Sequence, residues 1–452
     1  MITSLFAGFN HAVRSMQHAQ YALGIHSSNV AHANDPNYTR RQLQAPSDTG
    51  VDRPGIVRLR SAFVDDQYRL ANGLLGEAEV RKDVLSKVED IFGDPVEGGM
   101  RKSIDQFFDA WQGLAENPGD GVVRSQVLIA GRSLADQIST TYNKLSAVEA
   151  TVGEQLPARV NEVNDKLAQV FTLNKHIADA KRQNLDDAEM RDQRDKLLDD
   201  LAGLTGATSI EDGDGTVRVI VGSAMVLEGP TVVKLTLATP AGGKPMPVWQ
   251  GFGAFAPGYD GKGAISGLVT VRDVELRQLK QEITSLADEI AQAVNAQHAA
   301  GIGLDGSTGN AFFIGTPPGI KVNNLNVDQI AAGGAGGTGL PSDGRNARLL
   351  TAIGETPAVP SVVMPGQLES PRVFYRNLVG WVGSQTKETN LAAEVAQSHL
   401  DVSGQQRQSQ WGVSMDEEVA NLSLQQKAFQ ASARVITIMD DMLDTLINRT
   451  GR

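Results

Sequence analysis

Apolar residues fall at coiled-coil spacing at both ends of the chain. Near the start, Leu5, Phe9, Ala12, Met16, Ala19 and Leu23 alternate spacings of four and three, and Val30 and Ala33 resume the stripe beyond His26. At the other end Met415, Leu422, Phe429, Ile436 and Leu443 recur every seven residues, with Val419, Ala433 and Ile447 as companions and Gln426 and Asp440 as interruptions. Such seams predict one long helix at each end, able to lie side by side. Two helices that bury a single seam gain less than their backbone ordering costs, so the ends are expected to be loose in a lone chain and ordered by neighbouring copies. The same stripes also fit two terminal helices of one globular bundle.

Between the ends the pattern is helical, then alternating, then helical again. A short extended piece at 51–60 precedes stripes through Val64, Val84 and Val88, through Ile104, Phe107 and Trp111, through Val127, Leu134 and Leu145, and through Val160, Leu167 and Ile177. The turn cluster Glu211-Asp212-Gly213-Asp214-Gly215 ends this run, after which Val217, Val219 and Val221 and then Val233, Leu235 and Leu237 switch to a period of two. Leu276, Leu279, Ile283, Leu286, Ile290 and Val294 restore a helix, 311–345 reads as loop and strand, and helix returns from 373. The predicted fold is mainly α with an inserted β domain, an α+β multi-domain chain. Its parts are a terminal coiled-coil domain (1–40 and 413–452), a discontinuous helical bundle (41–205 and 271–412) and a β insert (206–270).

Composition narrows the function. The chain has 452 residues, 41% of them hydrophobic, enough for several cores. A net charge of −12 argues against nucleic acid or an anionic membrane as the general partner. The absence of cysteine excludes disulfides and thiolate chemistry. No cleavable secretory signal is visible, and no apolar run reaches the ~18 residues of a membrane span. Taken alone, these absences suggest a cytosolic protein.

Chemical motifs are weak. Gly334-Ala335-Gly336-Gly337-Thr338-Gly339 has dinucleotide-loop spacing, but no strand leads into it and Leu340-Pro341 follows where a helix should begin, so it reads as a surface loop. Asp212, Asp214 and Thr216 open like a calcium loop, yet its last position is Ser223 rather than a bidentate glutamate, and a hairpin turn is the better reading. Of the early histidines His11, His18, His26 and His32, the first two share a face but stand ~10 Å apart, too far for one metal. No Ser-His-Asp grouping stands out, so no catalytic, metal or cofactor site is assigned. Ser414 with Glu417 predicts a capping box at the start of the last helix.

The segment Ser28–Arg41, SNVAHANDPNYTRR, resembles the signature of the axial proteins of the bacterial flagellum, the rod and hook family. Asn29, Ala31, Ala33, Asn34, Pro36, Tyr38 and Arg40 match it, and Val30 and Thr39 are conservative replacements. His32, Asp35 and Asn37 depart from it, Asn37 being a residue that tolerates a left-handed turn. Residues Gly412–Arg449 resemble the other end of the same proteins; Gly412-Val413-Ser414 and Ala431-Ser432-Ala433-Arg434 point to the hook-associated branch. Asp192-Gln193-Arg194-Asp195 and the loop from His298 to Phe313 agree with that branch. The resemblance is weakest over 236–265 and 330–375.

What the resemblance implies is a non-enzymatic structural subunit that polymerises as an adaptor between hook and filament. It would leave the cell through the type III export channel with its N-terminus intact, and lie outside the cell in the flagellum. Implied partners are further copies of itself, the hook protein, the second junction protein and an export chaperone on the C-terminal helix, with no nucleic acid and no membrane insertion. The expected assembly seam is Leu5, Phe9, Ala12, Met16 and Leu23 with Met415, Val419, Leu422, Phe429, Ile436 and Leu443. Terminal helices are expected innermost, the bundle next and the β part outside. Alternatives are a hook or distal-rod subunit, disfavoured by the long helical stretch before the first β segment, and a cytosolic coiled-coil or ligand-binding module.

Overall fold

The helical stripes become ten α-helices among the residues that the computed structural model describes, which are 2–44, 55–93, 99–241, 243–252, 262–337, 340–361 and 366–445, with side chains from residue 6 onward. They are α1 (Ile2–Ala31), α2 (Ala62–Phe92), α3 (Met100–Glu116), α4 (Gly121–Arg182), α5 (Ala188–Thr205), α6 (Gly263–Thr270), α7 (Leu276–Ala300), α8 (Arg345–Ile353), α9 (Pro371–Trp411) and α10 (Met415–Asp444). Strands β1 (Arg41–Leu43) and β2 (Ile56–Arg58) pair antiparallel after α1. Strands β3 (Thr208–Glu211), β4 (Val217–Val221), β5 (Ala224–Glu228) and β6 (Thr231–Val232) form one antiparallel sheet in that order, and β7 (Leu235–Ala238) pairs with β8 (Met246–Trp249).

The spine is α4, 62 residues long, which runs on through Pro157. Asp120 caps it by accepting the Val122 amide at 2.7 Å. Its inward stripe from Val127 to Ile177 is buried. α2 and α9 lie antiparallel, so that Phe92 meets Tyr375 while Tyr68, at the other end, stacks under Arg407. α2 reaches α5 and α6 through Gly76, where a Cβ would stand 2.2 Å from the Gly203 carbonyl.

The β segment has no core of its own. Val217, Val219, Val221, Val226, Leu235 and Trp249 belong to the same buried cluster as Phe107, Trp111 and Leu286. Two asparagines of α4 fix the strands: Asn174 exchanges both hydrogen bonds with the Val217 backbone (2.8 and 3.1 Å), and Asn164 does the same for Leu235 (2.8 and 2.9 Å). The strands end at Trp249, and the stretch expected to be β up to 270 is helical from Gly263. Ile265, Leu268, Val269 and Val271 are buried at helical spacing there, and a single π turn at Val271–Glu275 joins α6 to α7. Residues 253–261 lie outside the described set.

Segment 301–345 is loop and short hairpin, held by three groups. Phe312 and Phe313 pack with Phe107 and Trp111 at ring distances from 5.4 to 5.7 Å. His298 donates from Nδ1 to the Asn310 carbonyl (2.7 Å) and accepts the Ala331 amide on Nε2 (3.1 Å), so its ring is neutral. Buried Arg124 donates to the carbonyls of Pro118, Val327 and Ile330 at 2.7 to 3.1 Å. The pattern-poor stretch after 330 contains α8, which packs on α3.

Candidate assembly site

α1 and α10, each 30 residues long, run antiparallel: Gly8 lies against Met439 at one end, and His26 and Asn29 meet Glu418 at the other. The contact face of α1 is small. Ala12, Ala19, Ala22, Ile25 and Asn29 are buried, while Phe9, Met16 and Leu23 stand at its edge, half-buried. On α10 the inner line is Glu418, Leu422, Gln425, Phe429, Ser432, Ile436, Met439 and Leu443, of which only Glu418 is fully buried.

The expected seam residues therefore divide. Ala12 lies inside the pair; Phe9, Met16, Leu23, Leu422, Phe429, Ile436 and Leu443 are half-covered; Met415 (48% exposed) and Val419 (53%) point outward, because the companion position belongs to Glu418. Leu5 and Ile447 lie outside the described side chains. Phe6, Tyr21, Leu424, Val435, Ile438 and Met442 also face outward. Small residues inside and large apolar ones outside leave the pair with an uncovered apolar exterior.

The signature segment is what ties the two helices together. α1 ends at Ala31, and the His32 ring bonds the Ser28 carbonyl (2.9 Å) and stacks on Tyr38 at 4.8 Å. Asn37 is not left-handed; the Asp35 carboxylate accepts its amide at 2.9 Å, an Asx turn that replaces the expected glycine-like geometry. Asn29 sits buried at the centre. Its Nδ2 donates to the Arg41 carbonyl and to Glu418 (both 3.0 Å), and its Oδ1 accepts the Tyr38 hydroxyl (2.8 Å) and the Arg41 amide (3.1 Å). Only a carboxamide supplies both donors and acceptor in that place.

Glu418 closes the clasp. It accepts His26 Nδ1 at 2.5 Å and Asn29 on one oxygen, and Arg40 at 2.7 Å on the other. Burial pushes its carboxyl up, but the bonds from His26 and Asn29 and the Arg40 charge outweigh burial and hold it below the ordinary glutamate value. Glu417 pairs with Arg40 at 2.9 Å, and Ser414 makes no side-chain cap bond, so the expected capping box does not form. The arginine draws both glutamates away from the helix start.

From the clasp a ladder of charges runs into the bundle. The antiparallel register sets Arg41 opposite Arg58, so both guanidinium groups leave the same face of the β1/β2 ribbon. Arg41 reaches Asp192 at 3.1 Å, and Arg58 spans Asp192 (2.7 Å) and Asp195 (2.6 Å). Arg60 pairs with Asp195 and Asp65, and Arg69 and Arg407 share Asp199 at 2.8 and 2.6 Å. Asp192, Asp195 and Asp199 lie on one face of α5. The arginine between them, Arg194, turns inward to the Gly215 carbonyl at 2.5 Å, where burial pushes its guanidinium down to about 9.

The remaining motifs resolve as turns. Asp214 accepts the Thr216 amide and hydroxyl, and Asp212 pairs with Arg218 at 3.0 Å. The Gly334 amide donates to Asp343, and Asp343 also pairs with Arg345. Among the described residues no cluster of histidine, aspartate and glutamate has the geometry of a metal site.

A helical body with small antiparallel sheets, closed by a paired N- and C-terminal helix whose clasp is the signature turn, defines a structural protein of the flagellar axis. Residues 85–313 match the family described as "Flagellar hook-associated protein FlgK helical domain", and residues 405–449 match "Flagellar basal body rod FlgEFG protein C-terminal". The chain belongs to the FlgK family of flagellar hook-associated proteins. It is 27% identical to flagellar hook-associated protein 1 of Bacillus subtilis, across 100% of this chain and 99% of that protein. It is also 27% identical to the protein of the same name from Salmonella typhimurium, over 72% of this chain and 62% of that one. A solved structure described as the flagellar hook junction protein FlgK from Burkholderia pseudomallei has a similar fold, with a TM-score of 0.66 at 15% identity, covering 76% of this chain and 100% of that one.

Proposed function

We infer that the chain polymerises as a non-enzymatic adaptor where the flagellar hook meets the filament. The observation that carries this reading is the apolar exterior of the α1/α10 pair, with Phe6, Val419, Leu424 and Ile438 at least half exposed after the two helices have packed on each other. Such a surface is covered when copies of the pair lie side by side. Phe9, Met16 and Leu23, with Leu422, Phe429, Ile436 and Leu443, then complete their burial against neighbours. The hook protein and the second junction protein are the unlike neighbours on this reading, and an export chaperone holds α10 before assembly. The subunit travels through the type III export channel.

A deletion strain tests the role. Cells that keep hooks and shed filament subunit into the medium fit an adaptor, and cells without hooks refute it. Limited proteolysis of the verified monomer tests order on assembly: residues 1–44 and 412–452 should be cut before the bundle, and equal resistance throughout would refute that part.

A further inference from the structure

The buried apolar residues of α1, Ala12, Ala19, Ala22 and Ile25, stand outside the large cluster of buried apolar residues that spans Val84 to Val382 in the bundle. α1 packs on α10 and β1, and α10 packs on α1. Among the described residues, polar contacts cross from the pair to the bundle: the Arg40 amide on the Trp411 carbonyl at 3.2 Å, and Arg41 and Arg58 on α5. These arginine and aspartate side chains are largely withdrawn from water, between 9 and 12% exposed.

We propose that this ladder is an electrostatic hinge: Arg41 and Arg58, held on Asp192 and Asp195, set the angle of the terminal pair on the bundle, and the angle changes by exchange of partners while both apolar cores stay intact. The carboxylates stand about one helical turn apart along α5, ~5 Å. Arg58 already spans two of them, at 2.7 and 2.6 Å, so a shift of one turn trades one ion pair for an equivalent one. An apolar joint has no such neighbouring position, because displaced side chains open voids. A chain that packs between unlike neighbours can therefore keep its bundle contacts and re-aim its terminal helices. The inference does not depend on which neighbours those are.

The test uses the whole 452-residue chain, whose lack of cysteine allows clean labelling. Spin labels go on Gln20→Cys in α1 and Asp83→Cys in α2, both exposed. The ladder is cut with Arg41→Gln, Arg58→Gln and Asp192→Asn together. This triple change strands no charge, because Asp195 keeps Arg60 and Arg69, and Arg60 keeps Asp65. The expected result is a label-to-label distance distribution clearly broader in the triple variant than in the parent, with the same bundle melting temperature. A control, Asp199→Asn with Arg407→Gln, removes buried pairs within the bundle and should leave the parent's distribution unchanged. A folded triple variant with the parent's distribution, or equal broadening in the control, overturns the hinge. If the triple variant fails to fold, Arg41→Gln with Asp192→Asn carries the same expectation at smaller amplitude, and an unchanged distance there is equally decisive.

Discussion

Glu418 shows how much one residue can do that no periodic pattern announces. It accepts from His26, Asn29 and Arg40 at once, so Glu418→Gln should cost ~1.5–3 kcal/mol for each charged bond weakened. Hydrogen exchange in α1 should rise while that in α4 stays unchanged. Acid should act the same way. Burial pushes the carboxyls of Glu418 and Asp199 up, but bonds and charge from His26, Asn29 and Arg40, and from Arg407 and Arg69, leave both below their ordinary values of 4.5 and 3.8. Folded values that are depressed give stability that is complete above those ordinary values and lost as pH falls through the lower folded ones. Pulse proteolysis with pepsin during an acid titration should release the terminal helices before the bundle opens, and a single joint transition would count against this. In the sequence, Asn29, Tyr38 and Arg40 were legible as members of a turn signature. Glu418 was not, because its partners lie far away in sequence and a carboxylate in a first helical turn already has a local explanation.

At the scale of elements, apolar stripes located the long helices well, since each buries one face along its whole length. They misplaced α6, where Gly263 and Gly267 dilute the pattern and the stripe continues across a π turn, and they left α8 unseen within a glycine-rich stretch. On α10 the stripe includes Met415 and Val419, which the structure turns outward, away from the helix partner. Close helix packing gives a sharper prediction. Gly76→Ala puts a Cβ against the Gly203 carbonyl, so α2 and α5 must separate, at ~1–3 kcal/mol for an overpacked contact. Calorimetry should show a lower melting temperature, whereas Gly380→Ala, where a Cβ meets nothing within 4 Å, should leave it unchanged or raised. Removing the Asn174 side chain with Asn174→Ala strands the amide and carbonyl of Val217, and should weaken hydrogen-exchange protection in β4 more than in β7.

As a whole molecule, the chain is one bundle core with a sheet fastened to its spine, and a separate helix pair joined to it by charge. The nested order of helix, β and helix, with the ends brought together, was legible because each segment's period is local. The polar nature of the joint was not legible, since arginines at 41, 58, 60, 69 and 407 carry no spacing that links them to α5. The same layout bears on anyone who wants to watch these particles in living cells. The start of α1 and the end of α10 lie together at one tip, where Gly8 meets Met439, so a fluorescent fusion at either end would crowd the exposed apolar face of the helix pair. In the Asp212–Gly215 turn Gly213 and Asp214 are exposed, the turn is closed by its own backbone bonds, and a Cβ at Gly213 meets nothing within 4 Å. An inserted reporter there would ride on the outside of the spine and leave every contact between helices as it is.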